Sequence, residues 1–424
     1  MAAPRTIRVA VTTRAVMPLH GFGGLERHVH DLVRHLAARG VDVTLITPPP
    51  GGVQRQSPSD PFASPRIAVR HVPYITFPFA GRRGTTVVDR STAYPAYGRR
   101  AGRLALALVE QGQIDIVHGL GASVLGYARA RHKGHPGATA PLVFNPQGLE
   151  EFGASAASQA TLKRLGYLPL RSAVRACARA ADRIIATDHA LEPVVAKHLR
   201  PRAGQVVTIP NGIDLVGVSA IAGRPEGQII RQRHGIAPSE IVVLSVGRLE
   251  ENKGFGDLAA SLARASSPGG PLGRQGWRWV LVGSGPFKRD IERAVAHHGI
   301  GGHTLLAGRA SEADLHAWYE ASTFFVHPTR YEGSSIVTLE AMAHRRAVVA
   351  TRAGGLPDKV RPGVNGWMVG PGDIAALSAA VEDAASDPAR LSAMGERSRE
   401  IVAREFAWTV IVDRQIDLYH ELLE

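Results

Sequence analysis

Two carboxylates eight positions apart, Glu332 and Glu340, lie in the stretch FFVHPTRYEGSSIVTLEAMA, from Phe324 to Ala343. FFVHP reads as a short apolar strand, Gly333, Ser334 and Ser335 as the turn after it, and EAMA as a helix with Glu340 at its front. On that reading both acids and the free backbone N–H groups of a helix start face one ligand. A helix start offers about half a positive charge and unpaired donors, which suits a phosphate. Acids for sugar hydroxyls beside donors for phosphate describe a nucleotide-sugar site. Ahead of it, Arg248 and Lys253 follow an apolar strand at its C-terminal end, where open α/β sheets bind ligands. Two such cations can neutralise a diphosphate as it leaves.

Further positions fit the same chemistry. The Gly21-Phe-Gly-Gly24 turn precedes an amphipathic helix, and Gly23 and Gly24 let the backbone approach a phosphate closely. It does not complete a GxGxxG pattern, because Glu26 occupies the last position. Gly308 and Arg309 follow the strand Thr304–Leu306, and the arginine either stacks on a nucleotide base or is exposed. His118 ends the strand Ile114–His118 and is read either as an aid to the acceptor or as a structural histidine.

Positioning these residues takes alternating strands and helices. Strand-like runs fall at Ile7–Val11, Val41–Thr47, Ile67–Val72, Ile114–His118, Pro141–Phe144 and Arg183–Thr187 in the first half. The second half contributes Val206–Ile209, Ile241–Val246, Trp279–Val282, Thr304–Leu306, Phe324–His327 and Ala347–Thr351. Leu25, Val29, Leu32, Val33 and Leu36 recur at helical spacing and stop at Gly40. Such alternation implies an α/β protein built from two Rossmann-like, doubly wound parallel sheets with a cleft between them. Pro-Asn-Gly in IPNGID marks the boundary. The expected domains are 1–208 and 209–405, with a C-terminal helix over 406–424 crossing back to complete the first.

At 424 residues the chain exceeds one typical core, and 44% hydrophobic residues suit two globular domains. Cys177 is the single cysteine, so no internal disulfide is available. No signal peptide and no long uncharged apolar run is evident, so a cytoplasmic protein is expected. Residues 1–210 hold 27 Lys and Arg against 12 Asp and Glu, or +15, whereas residues 211–424 hold 23 against 25, or −2. The basic half points to an anionic membrane surface or an acidic substrate, although only 6 of the 50 basic residues are lysine and an arginine bias scatters charge. Two features favour a peripheral membrane contact: Tyr74, Ile75, Phe77 and Phe79 ahead of Arg82 and Arg83, and the stripe Arg171, Arg175, Arg179. A solvated helix face and a buried strand are the plainer readings of both. Nothing resembles an RNA- or DNA-binding motif, and neither HExxH nor a Cys/His cluster suggests a metal.

GGLERHVHDLVRHLAARGVDVTLIT, IPNGID, SVGRLEENKG, LVGSGP, HPTRYEGSSIVTLEAMA and AGGLP, in this order and spacing, resemble a retaining glycosyltransferase of the GT-B fold in glycosyltransferase family four. The resemblance covers nearly the whole chain. It implies an acceptor-binding first domain, a nucleotide-sugar-binding second domain, and transfer to a hydroxyl acceptor such as a lipid-linked or cell-surface glycan. It implies that Arg248 and Lys253 stabilise the leaving diphosphate without a metal or other cofactor. Glu332 would contact the donor sugar, Glu340 would hold the ribose, and Gly23, Gly24, Gly308, Arg309, Gly333, Ser334 and Ser335 would line the donor. The chain departs from the family pattern at His118-Gly-Leu120, where the family often shows His-x-His, and at Gln147, Arg345 and Ala347. A GT-B nucleotide-sugar 2-epimerase and a noncatalytic binding subunit are the alternatives. The GRLxxxKG motif with Glu332 and Glu340 favours the transferase, and the absence of a DxD motif sets aside a metal-dependent GT-A enzyme.

Overall fold

A computed structural model describes residues 6–21, 23–50, 62–76, 86–152, 165–267, 272–274 and 276–424. Phe22, Phe77, Phe79, Arg82 and Arg83 lie outside them. The chain divides into two compact units, Met1–Gly212 with Trp408–Glu424, and Ile213–Ala407.

The first unit runs β1 (Arg8–Thr12), α1 (Gly24–Ala38), β2 (Asp42–Thr47), β3 (Ile67–His71), α2 (Thr86–Glu110), β4 (Ile116–Leu120), α3 (Leu125–His132), β5 (Leu142–Asn145), α4 (Leu168–Ala180), β6 (Arg183–Ala186), α5 (Leu191–Leu199) and β7 (Val206–Thr208). Among the described residues its strands form one parallel sheet in the order β3-β2-β1-β4-β5-β6-β7. Helices cover both faces, so the strands read as continuous apolar runs. Along β1, Val9 and Val11 pack with α1, whereas Ala10 packs with α2 and α3.

The second unit runs α6 (Leu215–Ile221), α7 (Arg224–Arg233), β8 (Ile241–Val246), α8 (Phe255–Ala265), β9 (Trp277–Val282), α9 (Lys288–His297), β10 (Thr304–Gly308), α10 (Glu312–Ala321), β11 (Phe324–His327), α11 (Ile336–Ala343), β12 (Val348–Thr351), β13 (Gly366–Val369), α12 (Ile374–Ser386) and α13 (Pro388–Ile401). Its parallel sheet has the order β10-β9-β8-β11-β12-β13. The last helix, α14 (Trp408–Leu423), belongs to the first unit. There Trp408 Nε1 donates to Asp31 Oδ2 at 3.2 Å, and Arg39 pairs with Asp413.

Three readings of the sequence shift. The strand expected at Ile114–His118 runs two residues later, because Gly119 and Leu120 continue the pairing with Phe144 and Asn145 of β5. His118 therefore sits in mid-strand. The run at Val206–Ile209 joins the sheet of the first unit, pairing with β6. The strand β13 was not anticipated; it starts at Gly366, where a Cβ would stand 1.9 Å from the Val348 carbonyl oxygen. Arg171 and Arg175 lie over the Phe152 ring, their guanidinium carbons 5.8 and 5.1 Å from its centroid. No helix among the described residues is long and apolar enough to cross a membrane.

Candidate functional site

In the second unit the strand order reverses between β8 and β11. Outside the carboxyl ends of strands at such a reversal, open sheets leave a crevice for ligands. The loop after β8 carries Arg248 and Lys253, and the loop after β11 carries Glu332, Gly333, Ser334 and Ser335.

The two loops meet through one carboxylate. Lys253 Nζ donates to Glu332 Oε2 at 2.8 Å, and His327 Nε2 lies 2.9 Å from the same oxygen. Glu332 Oε1 accepts from the Gly333 N–H at 3.1 Å. His327 is buried, with Nδ1 3.0 Å from Thr338 Oγ1 and 3.3 Å from Ser335 Oγ. Those hydroxyls can donate to Nδ1, leaving Nε2–H to donate to Glu332. Burial alone would raise the Glu332 carboxyl, but the hydrogen bond and field of His327 and the Lys253 ammonium outweigh it and hold the acid well below the usual carboxylate range. Burial lowers the His327 pKa despite the nearby carboxylate, so the imidazole is neutral at pH 7.

The loop carrying Glu332 is held from behind. Gly354, in AGGLP, has φ +50°, and a Cβ there would come within 1.7 Å of the Glu332 carbonyl oxygen. Only glycine permits both the left-handed backbone and this approach. Ser335 caps α11, its hydroxyl accepting from the Thr338 N–H. The helix thus begins four residues before Glu340, which stands in its interior and not at its front, and Glu340 is buried. Tyr319, on α10, donates its hydroxyl to Glu340 Oε2 at 2.8 Å.

Beside these loops a cavity of about 400 Å³ opens at the ends of β8, β9 and β10, lined by Gly247, Arg248, Gly283, Ser284, Arg309 and Leu315 among others. The Arg248 side chain is 76% exposed and pairs with Glu250 at 2.6 Å, so it is not engaged with Glu332. Gly308 lies behind Arg309, its carbonyl accepting from the Gly283 N–H at 2.7 Å. Gly283, with φ +148°, packs where a Cβ would come within 1.8 Å of the Gly247 carbonyl oxygen, drawing the ends of β8 and β9 together.

Of the remaining sequence-predicted residues, Gly23 and Gly24 open α1 in the first unit, with Gly23 as its N-cap. A Cβ on Gly23 would stand 2.4 Å from Glu26 Oε2, so the Glu26 carboxylate covers this turn. His118 is 1% exposed, with Nδ1 2.7 Å from the Tyr419 hydroxyl of α14, and burial pushes its pKa down to about 3. That environment is structural in character, and Leu120 holds the second position of the His-x-His pattern.

Sequence reasoning missed three residues here. His327 closes an apolar strand at its C-terminal end, which is a readable signal for a polar residue aimed at the crevice. Tyr319 gave none, being an aromatic on an amphipathic helix. Lys359 is fully buried, with Nζ 3.1 Å from the Gly355 carbonyl oxygen and 3.5 Å from Ser334 Oγ. In sequence it stands between Asp358 and Val360, with Arg361 following, and gives no sign of burial.

Two Rossmann-like sheets of these orders define the GT-B class of glycosyltransferases. A family model described as Glycosyltransferase Family 4 matches residues 22–216, one described as Glycosyl transferases group 1 matches residues 227–401, and the chain belongs to glycosyltransferase family four. It is similar to the glycogen synthase of Mycobacterium tuberculosis, with 27% identity over 403 residues, covering 94% of this chain and 91% of that protein. Among solved structures, sucrose-phosphate synthase of Thermosynechococcus elongatus superposes with a TM-score of 0.73 at 23% identity, covering 99% of each chain. The Anabaena protein HepE in complex with UDP-glucose gives 0.69 at 19% identity, covering 98% of this chain and 100% of that one. The protein is a glycosyltransferase.

Proposed function

We propose that the enzyme transfers a sugar from a UDP- or GDP-sugar to a hydroxyl acceptor with retention of anomeric configuration and without a metal ion. The observation that carries this reading is the Lys253–Glu332–His327 cluster at the strand-order reversal, next to a cavity of about 400 Å³. That volume falls within the range of small-ligand pockets. The UDP-glucose bound by the Anabaena protein supports a nucleotide-sugar of this kind.

In this reading the base lies in the cavity beside Arg309, and Glu340, fixed by Tyr319, accepts from the ribose hydroxyls. Glu332 is ionised at neutral pH and accepts from hydroxyls of the donor sugar. Gly333, Ser334 and Ser335 offer backbone N–H groups at the start of α11. As the bond between the anomeric carbon and the phosphate oxygen breaks, Lys253 and Arg248 take up the charge developing on the diphosphate. The acceptor oxygen bonds to the anomeric carbon on the same face, and its proton passes to the departing phosphate. Buried His118 takes no proton in this scheme. The +15 of residues 1–210 supports an acceptor at an anionic surface, such as a lipid-linked glycan; failure to bind anionic liposomes at low salt excludes it.

The deciding experiment incubates the protein with UDP-, GDP- and ADP-sugars in the absence of metal and measures free nucleoside diphosphate, with Glu332→Ala alongside. Release from one donor, lost in the variant, supports transfer. Sugar isomerised with nucleotide still attached, or no turnover of any donor, overturns it.

A further inference from the structure

A second cavity of the Ile213–Ala407 unit, about 1,030 Å³, lies at the other end of its sheet from the residues described above. Its lining includes Ser322 and Thr323, which lead into β11, and Arg346, just ahead of β12. Loops at the carboxyl ends of the strands, which carry Lys253 and Glu332, contribute nothing to it.

Five arginines line this cavity: Arg224, Arg231, Arg345, Arg346 and Arg399. Its carboxylates are Glu320 and Glu396. Glu320 is taken up by His344 at 2.6 Å and Arg346 at 3.5 Å, and Glu396 by Arg345 at 3.1 Å. Arg231 donates to the backbone carbonyls of Ala321, Ala237, Pro238 and Glu240, and Arg399 to the Ala343 carbonyl and the Ser219 hydroxyl. Among the described residues, Arg224, Arg231 and Arg399 form no ion pair. The guanidinium groups also oppose one another: the Arg346 pKa is lowered by burial and, despite Glu320, by the charges of Arg345, Arg231 and Arg224. Cationic side chains gathered around a space without matching anions leave a field that an anion would relieve.

A second observation is independent of charge. Arg345 holds φ +56°, the left-handed region that a residue with a Cβ occupies at a cost of about 1 kcal/mol or more. Glycine would sit there without strain. The strained backbone carries a half-exposed guanidinium at the cavity, where relaxation would have removed the charge.

We propose that this cavity binds a small, multiply charged phosphate compound. Guanidinium groups bind phosphate oxygens in paired, planar hydrogen bonds, and the volume exceeds what a single phosphate fills. The site is separate from the nucleotide-sugar reading and does not depend on it.

Calorimetric titration of the full chain with inorganic tripolyphosphate and with fructose 1,6-bisphosphate at low salt tests the proposal. Because Lys253 and Arg248 also attract phosphates, the reference protein is Lys253→Ala, in which the remaining binding is expected to stay. Adding Arg224→Gln to it, an exposed side chain with no ion pair to lose, is expected to weaken that binding about tenfold. Adding Arg345→Gly instead removes a charge while relaxing the backbone, so the melting temperature without phosphate should hold or rise as affinity falls. Tighter binding of the sugar bisphosphate marks an organic ligand, and tighter binding of tripolyphosphate a polyphosphate. No binding to Lys253→Ala, or affinity unchanged by both added substitutions, overturns the proposal.

Discussion

Replacing His327 by leucine tests whether Glu332 works as an oriented, ionised acceptor. The substitution removes a hydrogen bond donated to a buried carboxylate at 2.9 Å and keeps an apolar side chain in a fully enclosed space. Ser335 Oγ and Thr338 Oγ1 remain 2.9 Å apart and bond to each other, so the two hydroxyls lose no essential partner and the fold should persist. A hydrogen bond to a charged group contributes about 1.5–3 kcal/mol, which corresponds to a loss of about 10- to 150-fold in kcat/KM if the carboxylate acts in the transition state. The pH profile gives a second, sharper readout. The folded-state pKa of Glu332 is depressed, so its ionised form persists far into acid, and losing His327 lets that pKa climb back. The acid limb of kcat/KM in the variant should therefore move to higher pH, whereas a purely structural role would lower the rate at every pH alike. His327→Gln, which can still donate from a side-chain amide, should recover part of both effects. The assay is release of nucleoside diphosphate from the accepted donor between pH 4 and 8. Activity of His327→Leu within twofold of the native enzyme, with an unmoved acid limb, would refute the reasoning.

Tyr319→Phe removes the hydroxyl that fixes Glu340, so donor KM should rise about tenfold with kcat little changed; a lowered kcat at unchanged KM would place Glu340 elsewhere in the reaction. Gly354→Ala forces a Cβ to within 1.7 Å of the Glu332 carbonyl, a backbone clash that no rotamer relieves, and should cost about 2 kcal/mol or more together with most activity; a native melting temperature and rate would show that this turn yields freely. Burial pushes His28 to about 4 and His118 to about 3, below the ordinary value near 6.5, so the unfolded chain binds more protons in that interval and stability falls as pH drops below about 6.5. Each histidine should contribute about 1.6 kcal/mol of loss between pH 6.5 and 5, and His28→Phe should flatten the decline in denaturant midpoint measured at those two values. An identical decline in the variant would mean that His28 is not held neutral.

The strands were legible because parallel sheets covered on both faces demand unbroken apolar runs; Ile241–Val246 and Phe324–His327 match residue for residue. Reading failed where pairing overrode local signals. Gly119 looks like a stop after His118, yet register with β5 carries the strand through it. Gly366 opens β13 with half-buried Trp367 and Met368, so this edge strand lacks the full apolar signature. Ile336, Val337 and Thr338 are β-branched and suggested no helix, but the Ser335 cap starts one there. The positions proposed to face phosphate and sugar were visible as motif residues. Tyr319 and Lys359 were not, because what gives each its meaning is a partner elsewhere in the chain: Tyr319 reaches Glu340 across 21 positions, and Lys359 reaches Ser334 across 25.

Glu332 and Glu340 share a residue type and lie eight positions apart, yet their environments suit different tasks. Glu332 sits on the loop ahead of α11 with the Lys253 ammonium and the His327 imidazole on one oxygen, so in the proposed reaction a diphosphate would compete with it for Lys253. Glu340 is inside α11, where the Tyr319 hydroxyl restrains it and helical backbone fixes its depth. A carboxylate whose partner can be exchanged is suited to a bond-breaking step in which charge moves, because its hydrogen bonding changes between ground state and transition state. A carboxylate locked by a phenol is suited to holding a hydroxyl pair that does not react, contributing equally to both states. On this argument substitution of Glu332 should act chiefly on kcat and substitution of Glu340 chiefly on KM. Glu332→Gln and Glu340→Gln, compared at saturating donor, separate the two, and a reversed pattern would mean that the loop carboxylate binds and the helix carboxylate reacts.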